Sequence, residues 1–249
     1  MGNVTFHQCP SCSGQMESVA PVPHVESFYE KLPAAFAYPF TNWGWFNILL
    51  AGIFYWMVEF AMMFSLRAMV IAVPAFGYLG VYLINIANRS GDGDDELPEW
   101  PPFSYGLVGT FFLFAAINLF SFLPVIAYAL AMIFLGAPFK FIILPLYLTL
   151  FFLPMATLRV AMFQTTSAMN PIATLRSIFQ VPTPYMVACL TFFLLLYVRI
   201  GLTVLLDGIP LLGGILESII GMYLLFLEMR ILGLIYYAYQ DRLDWFSDI

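Results

Sequence analysis

Charged side chains are scarce in this chain. Of its 249 residues only 10% are Asp, Glu, Lys or Arg, two are histidine and three are cysteine. A soluble domain is charged at about a quarter of its positions, so the shortage excludes a folded body bathed in water on all sides. Nine basic residues against fifteen acidic ones leave a formal charge of −6. That balance excludes a polybasic surface for nucleic acid or anionic lipid. His7 and His24 both lie close to the N-terminus, so no apolar segment can offer an axial haem ligand or the paired helical histidines of a zinc protease. No Ser-His-Asp set and no phosphate-binding loop can be traced either. These absences point to a chain that is not an enzyme.

What fills the sequence instead is hydrocarbon. Hydrophobic residues make up 62% and include 26 phenylalanines, and the mean hydropathy is +0.88. These values describe an integral membrane protein. With about 20 residues needed per crossing, the sequence predicts an all-α fold: a polytopic bundle of about six transmembrane helices with amphipathic helices at the interface. The spans run from about Trp45 to Phe64, Ala68 to Ala87, within Phe103 to Phe139, Phe141 to Leu158, Met186 to Leu206 and Leu212 to Ile235. The third stretch is too long for one ordinary crossing and carries Pro124; a tilted helix, or a helix plus a re-entrant piece, would accommodate it. Residues 1–37 form an arm, and 38–249 the transmembrane domain.

The arm lacks the apolar core of a signal peptide. Six spans put both termini on one side, together with Lys31, Arg89, Arg159, Arg176, Arg230 and Arg242, while Arg67 and Lys140 fall opposite and Arg199 lies inside a span. The positive-inside rule then places both termini in the cytoplasm and the chain in a cytoplasmic (inner) membrane.

Two loops carry signals. Asn88 to Pro102 concentrates Asp92, Asp94, Asp95, Glu96 and Glu99 among Gly and Pro, which reads as a solvated acidic turn with Trp100 at headgroup level. Its carboxylates could offer oxygen ligands to a cation, but the spacing is not that of a calcium-binding EF-hand. Asn170-Pro171 opens a helix in which Ile172, Leu175, Ile178 and Phe179 fall on one face, suited to lying along the interface. The aromatic tail from Tyr236 to Phe246 suits an anchor on the same interface.

The order Gly77-Tyr78-Leu79, Asn88, an acidic loop, Leu97-Pro98-Glu99-Trp100, a long apolar hairpin and an Asn170-Pro171 helix resembles a prokaryotic family of multi-pass membrane proteins catalogued as DUF4013, distantly similar in layout to the Yip1-like proteins. The likeness spans roughly Tyr38 to Phe246. It implies a helical membrane domain and supplies no catalytic residues.

His7, Cys9, Cys12 and His24 are the distinctive chemistry outside the membrane. Cys9-Pro10-Ser11-Cys12 is one knuckle of a zinc ribbon, and a structural zinc needs four ligands. His7 and His24 could complete the set, or a second knuckle could come from a dimer mate or partner. A redox pair, or a knuckle without metal, is the remaining choice.

Within the spans, Glu59, Arg199, Glu217 and Glu228 stand out. A charge at the bilayer centre costs about 2.5 kcal/mol or more, so such groups pair, face the bundle interior, or reach the interface. Arg67, Arg159, Asp207 and Arg230 are close enough to span ends to reach it. Glu217 and Glu228 are three turns apart on one face, which could meet Arg199. Ion pairs that set helix register, or an ion path, are the two uses of such a set. Gly77, Gly80, Gly201, Gly208, Gly213, Gly214 and Gly221 are positions for close helix approach. The expected function is a non-enzymatic membrane subunit or scaffold contacting lipids and other membrane subunits, or a homo-oligomer. A small channel or transporter is the alternative, and a lipid-modifying enzyme using a cation in the acidic loop is a third class.

Overall fold

A computed structural model describes residues 6–8, 15–17, 27–103, 106–209 and 211–245. Two three-residue strands, β1 (Phe6–Gln8) and β2 (Gln15–Glu17), pair antiparallel with His7 opposite Met16. The rest is helical: α1 (Phe28–Ala35), α2 (Gly44–Phe64), α3 (Met69–Gly91), α4 (Leu107–Ser121), α5 (Leu123–Leu135), α6 (Ile143–Phe163), α7 (Pro171–Gln180), α8 (Pro182–Leu206) and α9 (Leu212–Leu243). Five segments, with α6 extended back to Phe139, are each long and apolar enough to cross a membrane, and α4 with α5 forms a sixth candidate bent by 53°. The chain is a multi-pass helical membrane protein.

The bend also accounts for the long third stretch. Phe122 caps α4, and Pro124 sits in the first turn of α5, where its missing N–H costs nothing. α3 and α6 end on the same face, since a methyl group added at Gly91 would lie 3.2 Å from Met162 Cε and 3.0 Å from Tyr236 of α9. The chain leaves α3 on that face and must begin α6 on the other. The bent pair therefore serves as one crossing, and both ends of the bundle share a face.

α9 is the axle. In its most apolar window 67% of residues are buried inside the protein, against 11% for α8. Lipid tails are as apolar as leucine, so association depends on close packing rather than on escape from water. The seams show it. A Cβ at Gly233 would lie 2.4 Å from Ser90 Cβ and 2.5 Å from the Ala87 carbonyl oxygen of α3, and one at Gly52 of α2 would lie 2.6 Å from Ile219. Gly77 admits the Leu107 carbonyl of α4 in the same way, 2.0 Å from where its Cβ would be. Gly201 and Gly208, expected at seams, meet nothing within 4 Å. Gly201 lies on an outward flank of α8, and Gly208 in the turn that follows it.

Tyrosine hydroxyls brace the helix backbones within the spans. Pro154 inside α6 removes one N–H, and beside it the Tyr185 hydroxyl of α8 donates to the Phe151 carbonyl while accepting from the Met155 N–H at 3.3 Å. A side chain has entered the i to i−4 ladder at the kink. Tyr55 likewise donates to Ala75 O of α3 at 2.6 Å.

α7 lies as expected at the face where α3, α6 and α9 end, capped by Asn170 Oδ1, which accepts from the Ile172 N–H at 3.0 Å. Ile172, Leu175 and Phe179 are exposed, but Ile178 is buried with Thr174 and Ser177. The apolar stripe is thus split: Ile178 turns into the protein and the other three outward, with the hydroxyls held inside.

Tyr185→Phe should lower stability by about 1 kcal/mol, because it removes the buried hydrogen bonds that tie α8 to α6. Denaturation in mixed micelles with far-ultraviolet circular dichroism measures it, and an unchanged midpoint would refute the hydroxyl's role.

Candidate functional site

Of the four charges singled out within the spans, three meet. Glu59 of α2, Arg199 of α8 and Glu217 of α9 line one groove of about 390 Å³, whose floor includes Gly214, Ser218 and Gly221. α2 and α8 each pack on α9 and leave the gap between them open. Small floor residues make the room: a methyl at Gly214 would lie 2.7 Å from Trp56 Nε1, and one at Gly221 3.6 Å from Arg199 Nη2. The Thr203 hydroxyl donates to Glu217 Oε1 at 3.0 Å. Glu59 and Arg199 are exposed. Among the described residues neither makes an ion pair within 4 Å. They present one charge of each sign on opposite flanks.

Glu228 goes elsewhere. It shares the helix face of Glu217 but lies about 16 Å further along the axis, and it lines a second cavity, of about 260 Å³, with Leu83, Phe114, Leu153, Cys189 and Phe192. Leu225 is common to the two walls. The expected meeting of both carboxylates with Arg199 in one site is therefore half right: only Glu217 shares a cavity with it.

Arg230, expected to snorkel, is instead 3% exposed and clamped. It donates to the Asp94 carbonyl and to Asp95 Oδ1, and its guanidinium stacks 4.4 Å above the Tyr38 ring. Lys31 Nζ reaches Asp95 at 3.0 Å from the other side. The acidic turn is thus pinned to the bundle, while Asp92, Asp95, Glu96 and Glu99 keep their exposure to solvent. Leu97 is buried, its N–H donates to Thr41 Oγ1 at 3.1 Å, and Trp100 stacks 3.9 Å from Tyr82. Tyr78, Tyr82 and Tyr38 donate to the carbonyls of Pro101, Pro98 and Glu96. Gly93, at φ +85°, opens the turn against the Tyr237 ring. Burial raises the Asp95 carboxyl and the bonds from Lys31 and Arg230 lower it further, leaving it below its ordinary value; burial pushes the Tyr38 phenol up to about 12. Tyr38 stays a neutral donor.

Arg159 is also drawn inward. Its Nε donates to the Ala168 carbonyl at 3.2 Å, its Nη1 to Ser177 Oγ at 3.2 Å, and Phe163 and Trp245 flank it. Trp245 Nε1 donates to the same Ser177. The aromatic tail is fastened to α7 through a buried cation.

Cys9, Cys12 and His24 lie outside the described residues, and His7 is described only as part of β1. Among the described residues no three His, Cys, Asp or Glu side chains are grouped to hold a metal. Compared with known protein families, curated proteins and solved structures, the chain finds no match.

A carboxyl held below its ordinary value contributes stability above the unfolded value, near 3.8, and loses it as pH falls through the lower folded value. The clamp should therefore be intact from pH 7 down to pH 5 and open only below about pH 4. Hydrogen exchange at Asp94 to Leu97 as a function of pH reads this. Opening near pH 6 would contradict it, as would an Asp95→Asn protein with unchanged protection.

Proposed function

We propose that the chain is a non-enzymatic subunit or scaffold of a larger membrane assembly, set in a prokaryotic cytoplasmic membrane with both ends of the bundle in the cytoplasm, and that the groove between α2 and α8 is where a neighbour docks. One observation carries the reading: Glu59 and Arg199 are exposed on the flanks of a groove within apolar spans, without an ion pair among the described residues. An unpaired charge there costs about 2.5 kcal/mol or more. A neighbouring transmembrane segment bearing one acid and one base would remove that cost twice over. A second copy of this chain brings both, because a two-fold axis sets Glu59 of each copy against Arg199 of the other. The clustering of Lys31, Arg89, Arg159 and Arg230 at the face where the bundle's ends lie supports the cytoplasmic assignment. The DUF4013 resemblance agrees with a helical membrane domain of this kind. For the arm, zinc held by Cys9 and Cys12 with His7 and His24, or with a partner's ligands, remains part of the proposal.

Charge reversal tests the groove. In nanodiscs or mild detergent the wild type should run as a dimer or a larger complex. Arg199→Glu should dissociate it by about tenfold or more in apparent affinity, and Glu59→Arg with Arg199→Glu should restore it. A wild-type chain recovered only as a free monomer would defeat the proposal.

A channel or transporter is the second reading, favoured by carboxylates in two neighbouring cavities. Ion or proton flux in liposomes separates the two. Equal background flux for wild type, Glu217→Gln and Glu228→Gln would eliminate the transporter.

A further inference from the structure

The cavity that holds Glu228 is built differently from the groove, and it does not depend on how the groove is used. α6 and α8 stand apart along their middles and are tied at two levels by tyrosines. At one level Tyr185 bonds Phe151 and Met155; at the other the Tyr147 and Tyr197 hydroxyls meet at 2.6 Å, with Tyr147 also against the Phe193 ring. The cleft between these ties has α9 as its floor and a volume of about 260 Å³. Leu150, Leu153 and Phe193 on its rims are part-exposed, so the opening is sideways, toward lipid.

Its polar groups lean to acceptors, although the Thr157 hydroxyl and the Cys189 thiol also line it. Pro154 has no N–H, so the carbonyl four residues earlier, that of Leu150, loses its helical donor, and both residues line the cleft. Asn118 spends an amide N–H on Phe114 O at 2.8 Å, which leaves its side-chain oxygen. Glu228 adds a carboxylate that makes no hydrogen bond or ion pair among the described residues. The surplus is of acceptors and of negative charge, and the remaining walls are aromatic or aliphatic.

We infer that this cleft binds a lipophilic ammonium ion, with its N–H donors on the Glu228 carboxylate and its apolar body between the Phe114, Phe192 and Phe193 side chains. A bare metal ion fits poorly, because one carboxylate and isolated carbonyls cannot replace six or more hydration oxygens. A neutral apolar molecule would leave the carboxylate unpaired, at the cost that buried unpaired charges carry. A quaternary ammonium would match the charge but offer the acceptors no hydrogen. An amine with N–H groups answers both needs, and aromatic faces attract its charge.

Isothermal titration of the full chain in nanodiscs with 1-adamantylammonium tests the inference, with 1-adamantanol as the uncharged counterpart. The wild type should bind the amine saturably and the alcohol at least about tenfold more weakly, the difference expected for a charge-assisted hydrogen bond. Glu228→Gln should lose about tenfold or more in affinity for the amine, and Leu153→Trp, which fills the cleft without touching the acid, should abolish binding. Glu217→Gln in the other cavity should bind as the wild type does. Absence of saturable binding by the wild type, equal binding of the alcohol, or wild-type affinity in either folded cleft variant would overturn the assignment. Should Glu228→Gln fail to fold, Leu153→Trp alone decides.

Discussion

Hydrocarbon offers no hydrogen bonds, and most of this architecture follows from that. Each carbonyl or N–H that a proline or a loop releases within the spans needs a partner in the protein or in what it binds. Tyrosine is the side chain used, because its ring is at home among aliphatic chains and its hydroxyl reaches a carbonyl from a neighbouring element. Tyr38, Tyr55, Tyr78, Tyr82, Tyr128, Tyr185 and Tyr223 all donate to backbone carbonyls. Three of these bonds fasten the segment after α3, so an irregular strand of backbone can run beside the helices without stranding its polar groups.

The same constraint governs ionised groups, and the protein meets it in two ways. On the face where the bundle's ends lie, Arg230, Lys31 and Asp95 form a clamp in which one carboxylate serves two cations, and Arg159 is surrounded by a carbonyl, a hydroxyl and aromatic rings. In these sites each charge has partners, although the Arg230 Nε is buried without a hydrogen bond. Toward the other face Glu59 and Arg199 stand open on a groove, and between the two levels Glu228, two residues before Arg230 in α9, lines a cleft of its own. Completed charges hold the fold, whereas open ones are where another molecule would complete it. The contrast between the two ends of the bundle underlies the functional reading.

Much of the fold was legible in the chain. Hydropathy located the crossings, the length of the Phe103 to Phe139 stretch announced a break, and Asn170-Pro171 marked the start of α7. Span ends were less legible. α3 runs on to Gly91 and α9 to Leu243, because these helices continue past the apolar stretch by packing on one another. The glycines divided as well. Gly77 and Gly80 lie against α4, while Gly201 and Gly208 face nothing, and Gly52 and Gly233, which do sit at seams, carry no distinguishing local signal.

Of the candidate site, the residue types were readable and their company was not. A lone carboxylate in an apolar run is visible in any sequence. Whether it meets an arginine depends on how helices distant in the chain rotate and cross, which is why Glu217 joins Arg199 while Glu228 does not, and why Arg230 finds Asp95 from 135 residues away. The sequence by itself determined the solvent and the helical class, since both follow from the transfer energy of residues adjacent in the chain. Only the tertiary structure decided which helix became the axle, which charges were satisfied and which cavities stayed open, because those outcomes rest on close packing between segments that no local pattern encodes.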